Sequence, residues 1–137
     1  MGKYLGRDTN SIQKSIASHV EYSLAMTRFD FSIYGCYQAV SNSLRDRMLE
    51  SLNDTDRFMS HKEAKTVSFL SLEYSLGQLL GTNMLNNDLQ DNYEEALDDI
   101  GYSLEKVERE EYALELGSMP MGQAGQIAAS YIDSIVS

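Results

Sequence analysis

Apolar side chains recur at helical spacing in two segments of the N-terminal half of this chain. In the first segment they are four residues apart: Ile12, Ile16, Val20 and Leu24. This spacing predicts a helix that begins near Asn10 or Ser11, since either side chain can cap a helix. In the second segment they are three or four residues apart: Tyr37, Val40, Leu44, Met48 and Leu52. They predict a longer helix from about residue 33 to beyond residue 52, which frays or ends near the polar residues 53–54.

The pattern changes to that of a strand in the middle of the chain. Residues 66–72 are a run of apolar, hydroxyl-bearing and β-branched side chains that ends at the carboxylate of Glu73. A carboxylate at the end of a buried strand is costly to hold without partners. We therefore expect Glu73 to have a local structural or catalytic role.

Shorter helices are predicted after the strand. Leucine and methionine side chains predict one helix before the polar break at residues 85–88, and Tyr93 and Leu97 mark a second. Gly101 fits the position just past the end of that second helix, and Ser103 fits the cap of a third. The following residues, 107–115, are acidic and are expected on the surface.

These elements predict a mainly α fold with two long N-terminal helices, one β-strand and then several shorter helices. We expect a flexible N-terminus over residues 1–10 and a single helical module over residues 11–137. A lone strand cannot form a sheet without partners. The pattern therefore indicates an oligomer or a piece of a larger assembly.

The charge of the chain excludes several classes of partner. Its 137 residues carry 21 acidic and 11 basic side chains, a formal net charge of -10. This excludes nucleic acid, whose phosphates need a basic surface, and disfavours an anionic membrane surface. No apolar run approaches the roughly 18 residues of a membrane span. The first residues lack the apolar core of a secretory signal.

Candidate reactive side chains are few. Cys36 is the only cysteine, which indicates a reducing intracellular compartment, in the first place the cytoplasm, and a packing role for its thiol. His19 has no second ligand nearby in the sequence, so no metal site is expected. A glycine-bearing loop over residues 117–125 precedes an apolar helical pattern, an arrangement that can bind an anion. Its spacing matches no known phosphate fingerprint, so an ordinary connector is the favoured interpretation.

Six stretches in the same order along the chain resemble motifs of the α-glucan phosphorylases, the glycogen and starch phosphorylases. They are residues 19–25, 37–48, 71–74, 83–87, 97–105 and 128–134. The resemblance implies the fold of the N-terminal part of glycogen phosphorylase, of which this chain would be an incomplete portion. It also implies a family activity, the release of glucose 1-phosphate from α-1,4-glucans with phosphate, which uses pyridoxal phosphate held by a lysine far along the chain.

This chain departs from the family at the positions that handle anions. The family loop Gly-Asn-Gly-Gly-Leu-Gly-Arg is degenerate here, and its remaining phosphate-loop positions are Gly122, Gln123, Ala124 and Gly125. Gln123 replaces a glycine that lets the backbone approach phosphate. Gln126 and Gln78 each replace an arginine, and glutamine cannot supply a guanidinium. We therefore expect no catalytic residue and no cofactor for this chain alone, although Glu73 matches a carboxylate that braces the loop in the family.

Three hypotheses follow. The first is a truncated, non-catalytic phosphorylase-like protein that acts as an interaction or structural subunit, alone as a homo-oligomer or with a protein partner. Arg45, Asp46 and Arg47 are its candidates for ion pairs within or between subunits. The second is a fragment of an active α-glucan phosphorylase, and the third is a small helical regulatory module that shares only the scaffold. Binding of glucan has no support in the sequence, and residues 56–60 lack the family's nucleotide-activation motif.

Overall fold

The computed structural model describes residues 5–27, 31–68, 70, 74–75, 78–112 and 115–116. Its helices are α1 (Thr9–Ser18), a π-helical turn (His19–Ser23), α2 (Ile33–His61), α3 (Leu80–Asn86), α4 (Gln90–Asp99) and α5 (Leu104–Glu108). Two short strands, β1 (Tyr74–Ser75) and β2 (Glu115–Leu116), complete the described elements. The described part of the chain is mainly α, which confirms the predicted class.

The helix α1 begins at Thr9, one or two residues earlier than predicted, because Asp8 caps it. The Asp8 carboxylate accepts hydrogen bonds from the Ser11 N–H at 3.1 Å and the Ser11 hydroxyl at 2.7 Å. These bonds lower the pKa of Asp8. Residues 5–8 before the helix make hydrogen bonds with α2 and α4; the flexibility of residues 1–10 stays a prediction, and residues 1–4 lie outside the described residues.

The helix α2 runs for 29 residues and ends at His61, so the predicted fraying at residues 53–54 is wrong. Asn and Asp lower helix propensity only weakly inside a helix that is already formed. The buried residues of α2 all precede residue 48. Leu52, which the periodicity placed on the apolar face, is 52% exposed, because no other described element packs beside this half of the helix.

The core lies where α1, the first half of α2, α3, α4 and α5 meet. It contains Ile12, Ile16, Cys36, Ala39, Val40, Leu44, Leu80, Met84, Leu89, Tyr93, Ala96, Leu97, Leu104 and Val107. Burying one such aliphatic or aromatic side chain contributes about 1.5–3 kcal/mol. Val107 is fully buried, so the predicted surface position of residues 107–115 is wrong at its first residue.

The end of α4 follows the prediction for Gly101. This glycine has φ +85°, and its N–H donates to the Asp98 carbonyl at 3.0 Å. The Tyr102 N–H donates to the Leu97 carbonyl at 2.9 Å, which completes a Schellman motif. The chain thereby turns sharply, and α5 starts after Ser103 as predicted.

The predicted strand over residues 66–72 is not found where the structure describes that segment. Residues 66–68 and 70 have no regular structure, and Val67 and Leu70 are 66% and 92% exposed. A strand needs a hydrogen-bonded neighbour, and the described pairing lies just beyond: Tyr74 pairs with Leu116 and Ser75 with Glu115, antiparallel. Residues 69 and 71–73, with Glu73 among them, lie outside the described residues.

None of the described helices has the length and hydropathy that crossing a bilayer requires.

Candidate functional site

A buried polar cluster lies inside the apolar core, between α2 and α4. Arg47 is 5% exposed, and Ser43 is fully buried one turn before it on α2. The Ser43 hydroxyl and the Tyr93 hydroxyl of α4 are 2.9 Å apart. Arg47 Nη1 donates to the Ser43 carbonyl at 2.9 Å and to its hydroxyl at 2.8 Å. The cluster therefore ties two helices together by hydrogen bonds that water does not reach.

Arg47 also holds the residues before α1, a segment (5–8) that we call the strap. Its Nε and Nη2 atoms both donate to the Gly6 carbonyl, at 3.1 and 2.8 Å. One turn further along α2, both oxygens of the Glu50 carboxylate accept the Leu5 N–H, at 3.2 and 3.1 Å. Arg47 and Glu50 of α2 thus bind a carbonyl and an N–H group of the strap backbone.

The partners of Arg47 within the described residues are neutral oxygens. The described ion pairs within 4.0 Å join His19 with Asp46, Arg45 with Asp46, and Arg109 with Glu105. The Arg47 guanidinium carbon lies 5.9 Å from the centre of the Tyr93 ring, which stabilises a cation. Burial raises the pKa of Tyr93, although the hydrogen bond from Ser43 and the charge of Arg47 oppose this. Tyr93 therefore stays a neutral phenol that can donate its proton.

A second polar group joins the end of α1 to α2. His19 Nδ1 lies 2.8 Å from the Ser23 hydroxyl, and His19 Nε2 lies 3.1 Å from an Asp46 carboxylate oxygen. Arg45 Nη1 approaches the other Asp46 oxygen at 3.9 Å, so both of these candidates for ion pairs have a charged neighbour within the chain. The group holds the π-helical turn against α2, and an exposed pair such as Arg45–Asp46 contributes little.

The amino end of α3 is occupied by a carboxylate from beyond α5. The two oxygens of Glu111 accept the N–H groups of Leu79 and Leu80, each at 2.9 Å. Gln78, at the position where the resemblance predicts arginine, is exposed and has φ +57°. Burial, followed by the charges of three neighbouring glutamates, raises the pKa of Glu108 beside this corner. The corner is therefore acidic and suits an anion poorly.

An apolar groove of about 820 Å³ runs along the end of α1. Its lining includes Ile16, Val20, Met26, Phe31, Ile100 and Tyr102. The rings of Phe31 and Tyr102 meet edge to face at 5.4 Å between their centres.

The sequence-predicted site residues fall into two sets. Arg45, Asp46 and Arg47 are described and make the contacts within the chain given above. Glu73 and Gln126 lie outside the described residues, and so do the phosphate-loop residues Gly122, Gln123, Ala124 and Gly125.

The remaining chemical candidates are placed by burial. Among the described residues, no three His, Cys, Asp or Glu side chains come together as a metal site would require. Burial raises the pKa of the Cys36 thiol to about 12, as expected for a packing residue. Helical periodicity does not reveal Ser43 and Tyr93 as partners of Arg47; the available signal is a serine and an arginine four residues apart, beside the apolar stripe of α2.

Comparison with known proteins identifies the family. No family model matches the chain. It is 37% identical, over 98% of its length, to glycogen phosphorylase 2 of Dictyostelium discoideum. The chain is homologous to part of the α-glucan phosphorylases. It is also 31% identical, over 96% of its length, to the H isozyme of α-glucan phosphorylase of Solanum tuberosum, and 30% identical, over 90%, to glycogen phosphorylase of Saccharomyces cerevisiae.

The homology has a limited extent within these relatives. The chain spans 13% of the Dictyostelium protein and 15% of the potato and yeast proteins. The resemblance drawn from six collinear motifs is therefore confirmed as kinship to a segment of the phosphorylases.

Proposed function

We propose that this chain is a non-catalytic structural module of the phosphorylase type, which works by contacting a protein partner, in the simplest case a second copy of itself. The observation that carries this proposal is the exposed half of α2, residues 49–61, which contains no buried residue. We call it the α2 extension. Leu52 and Phe58 of the α2 extension are 52% and 60% exposed, so apolar surface is available for a partner.

The departures from the family support a non-catalytic role. Gln78, Gln123 and Gln126 stand where the resemblance predicts arginines or a glycine near phosphate. The one buried guanidinium among the described residues, that of Arg47, is occupied by hydrogen bonds within the chain. Pyridoxal phosphate, which the family uses, would need a lysine that the resemblance places outside this segment, and no cofactor is proposed for this chain alone.

A second candidate function is that of a segment of an active α-1,4-glucan phosphorylase. It is favoured by the 37% identity over 98% of the chain to a protein named glycogen phosphorylase 2. In that case the glucan, phosphate and pyridoxal phosphate would bind a longer protein, and the present residues would contribute its N-terminal helices.

The composition supports an acidic, cytoplasmic protein without nucleic-acid partners. The net charge of -10 disfavours phosphate backbones, and the lone buried Cys36 is compatible with a reducing compartment.

One assay tests the non-catalytic proposal directly. The purified chain is incubated with glycogen, inorganic phosphate and pyridoxal phosphate, and release of glucose 1-phosphate is measured. The non-catalytic proposal predicts no release above the level without protein. Phosphate-dependent release would overturn it. The second candidate places the activity in a longer protein, and immunoblotting of the source cells for a polypeptide much larger than 15.4 kDa that carries these residues tests that candidate.

A further inference from the structure

The strap, residues 5–8, is bound mainly through polar contacts. Its backbone is held by Glu50 and Arg47 of α2, and the Arg7 carbonyl accepts a hydrogen bond from the Asn92 side chain at 2.6 Å. The Arg7 guanidinium donates to the Asn87 carbonyl. Leu5 is 40% exposed, so its apolar side chain is only partly buried. Segments of this kind open locally at low cost, because water can replace their hydrogen bonds.

The strap closes one side of a polar cavity of about 290 Å³ beside Arg47. Arg7 and Arg47 both line this cavity, together with Leu5, Glu50, Ser51 and Asp54. On its inner side Arg47 is backed by hydroxyl groups: Nη1 lies 3.3 Å from the Ser15 hydroxyl and 3.4 Å from that of Tyr93. The guanidinium groups of Arg7 and Arg47 therefore adjoin the same cavity. The buried one, that of Arg47, directs two of its N–H donors at the strap.

The Nε and Nη2 groups of Arg47 form a planar fork of donors, which suits an anion better than the neutral Gly6 carbonyl that it now binds. Two N–H groups of one guanidinium converge on a single neutral oxygen, the Gly6 carbonyl. A carboxylate or phosphate would accept the same two bonds with a full negative charge, and charge-assisted bonds are roughly twice as strong as neutral ones. A buried cation whose described partners are neutral gains most from a counter-ion.

We propose that this cavity is a binding site for a small oxyanion, which displaces the Gly6 carbonyl from Arg47 and frees the Leu5–Gly6 end of the strap, while Arg7 keeps its contacts with Asn87 and Asn92. Arg47 supplies the planar fork, and Arg7 supplies a second charge from the strap side. The carboxylates of Glu50 and Asp54 oppose the anion, so the affinity is weak, on the order of 1 mM. This site adjoins the α2 extension through Glu50, Ser51 and Asp54, but it goes beyond the proposed non-catalytic function, since it needs neither a glucan nor a second subunit.

The test uses the full chain and inorganic phosphate at constant ionic strength, with chloride as reference and acetate as a carboxylate probe. Amide chemical shifts of residues 5–8 are followed by NMR as phosphate is added. We expect saturable shifts in the strap with phosphate and none with chloride. Saturation with acetate as well would assign a general oxyanion site, whereas saturation with phosphate alone would assign a phosphate site.

Variants separate this site from a general charge effect. Arg47→Gln should abolish the saturable shifts. Arg47→Lys, which keeps the charge without the planar fork, should weaken them. The lysine variant also tests the site if Arg47→Gln fails to fold. Arg45→Gln is the matched control on the same helix, because Arg45 is exposed, and it should bind as the parent does. Glu50→Gln frees Leu5 and removes a like charge, so it should tighten binding about fivefold.

Two results would overturn the proposal. One is equal loss of binding in Arg45→Gln and Arg47→Gln, which would show that only net charge matters. The other is the absence of saturable phosphate shifts in both the parent chain and Glu50→Gln.

Discussion

The two halves of α2 share one helix but differ in everything that surrounds them. The first half contributes all the buried residues of the helix: Gly35, Cys36, Ala39, Val40, Ser43, Leu44 and Arg47. The α2 extension contributes none. Helix formation is cooperative, so the packed half nucleates a helix that then continues through the exposed half. The packed half therefore gives this chain its stability, whereas the α2 extension offers exposed surface to a partner.

The largest expected effect compares two leucines of α2. Leu44 is 2% exposed and Leu52 is 52% exposed. Leu44→Ala should lower the free energy of unfolding by about 2–5 kcal/mol, because it leaves a cavity in the core. Leu52→Ala should change it by less than about 0.5 kcal/mol. Urea denaturation followed by circular dichroism measures both, and similar losses would contradict the division of α2 into two halves.

The next effect concerns the buried polar cluster of the packed half. Tyr93→Phe removes the hydroxyl that lies 2.9 Å from the Ser43 hydroxyl and leaves the latter with one fewer partner. We expect a loss of about 1–3 kcal/mol in the free energy of unfolding. Tyr22→Phe is the matched control, since Tyr22 is exposed, and it should have no measurable effect. Equal stability of both variants would show that water satisfies the cluster.

A smaller effect is expected at the turn after α4. Gly101 has φ +85°, and a Cβ placed there would meet no atom within 4 Å. Gly101→Ala should therefore cost only the left-handed backbone strain, about 1–2 kcal/mol, and Gly101→Asn should cost less. Thermal denaturation of the two variants and the parent chain measures this order. A Gly101→Ala variant more stable than the parent would contradict the Schellman motif at the end of α4.

The smallest expected effect is a dependence of the free energy of unfolding on pH, which arises from Glu108, a residue outside α2. Burial raises its pKa in the folded chain above the ordinary value of 4.5, so the folded state binds more protons there than the unfolded state. Stability contributed by this group is therefore lost as the pH rises from about 4.5 through the raised pKa. Glu108→Gln should be more stable than the parent at pH 7, by less than about 1 kcal/mol, and equally stable at pH 3.

Denaturation curves at the two pH values test this sign. Glu63→Gln, at an exposed position, is the control and should show no such difference. A Glu108→Gln variant that is less stable at pH 7 would contradict the pKa direction.

Sequence periodicity predicted the packed half well and the exposed half poorly. Ile12, Ile16, Val40 and Leu44 were expected in the core and are buried, because burial imposes a helical period on apolar residues. The breaks around residues 85–88 and Gly101 were also found, since turn residues have local causes. The end of α2 was predicted too early, because the α2 extension has no buried residue that would impose an apolar period on it.

Long-range contacts are the second feature that local sequence patterns do not predict. The contact of Ser43 with Tyr93 joins residues 50 positions apart, and no local pattern reports such a distance. The strand predicted over residues 66–72 is not found at its described residues, 66–68 and 70, since a strand depends on a neighbour that the local sequence does not contain. The pairing of Tyr74 with Leu116 likewise spans distant parts of the chain. Of the predicted site, only the position of Arg45, Asp46 and Arg47 on α2 could be read from periodicity.

Sedimentation equilibrium of the purified chain tests most directly whether the α2 extension is a contact surface. The proposal predicts a concentration-dependent mass above the 15.4 kDa of one chain, which Phe58→Glu or Leu52→Glu returns to that of a monomer. Ser51→Glu, which adds the same charge to the same exposed stretch, should leave the association intact. A mass of 15.4 kDa at every concentration, or association that both apolar-to-acidic variants leave unchanged, would contradict the account.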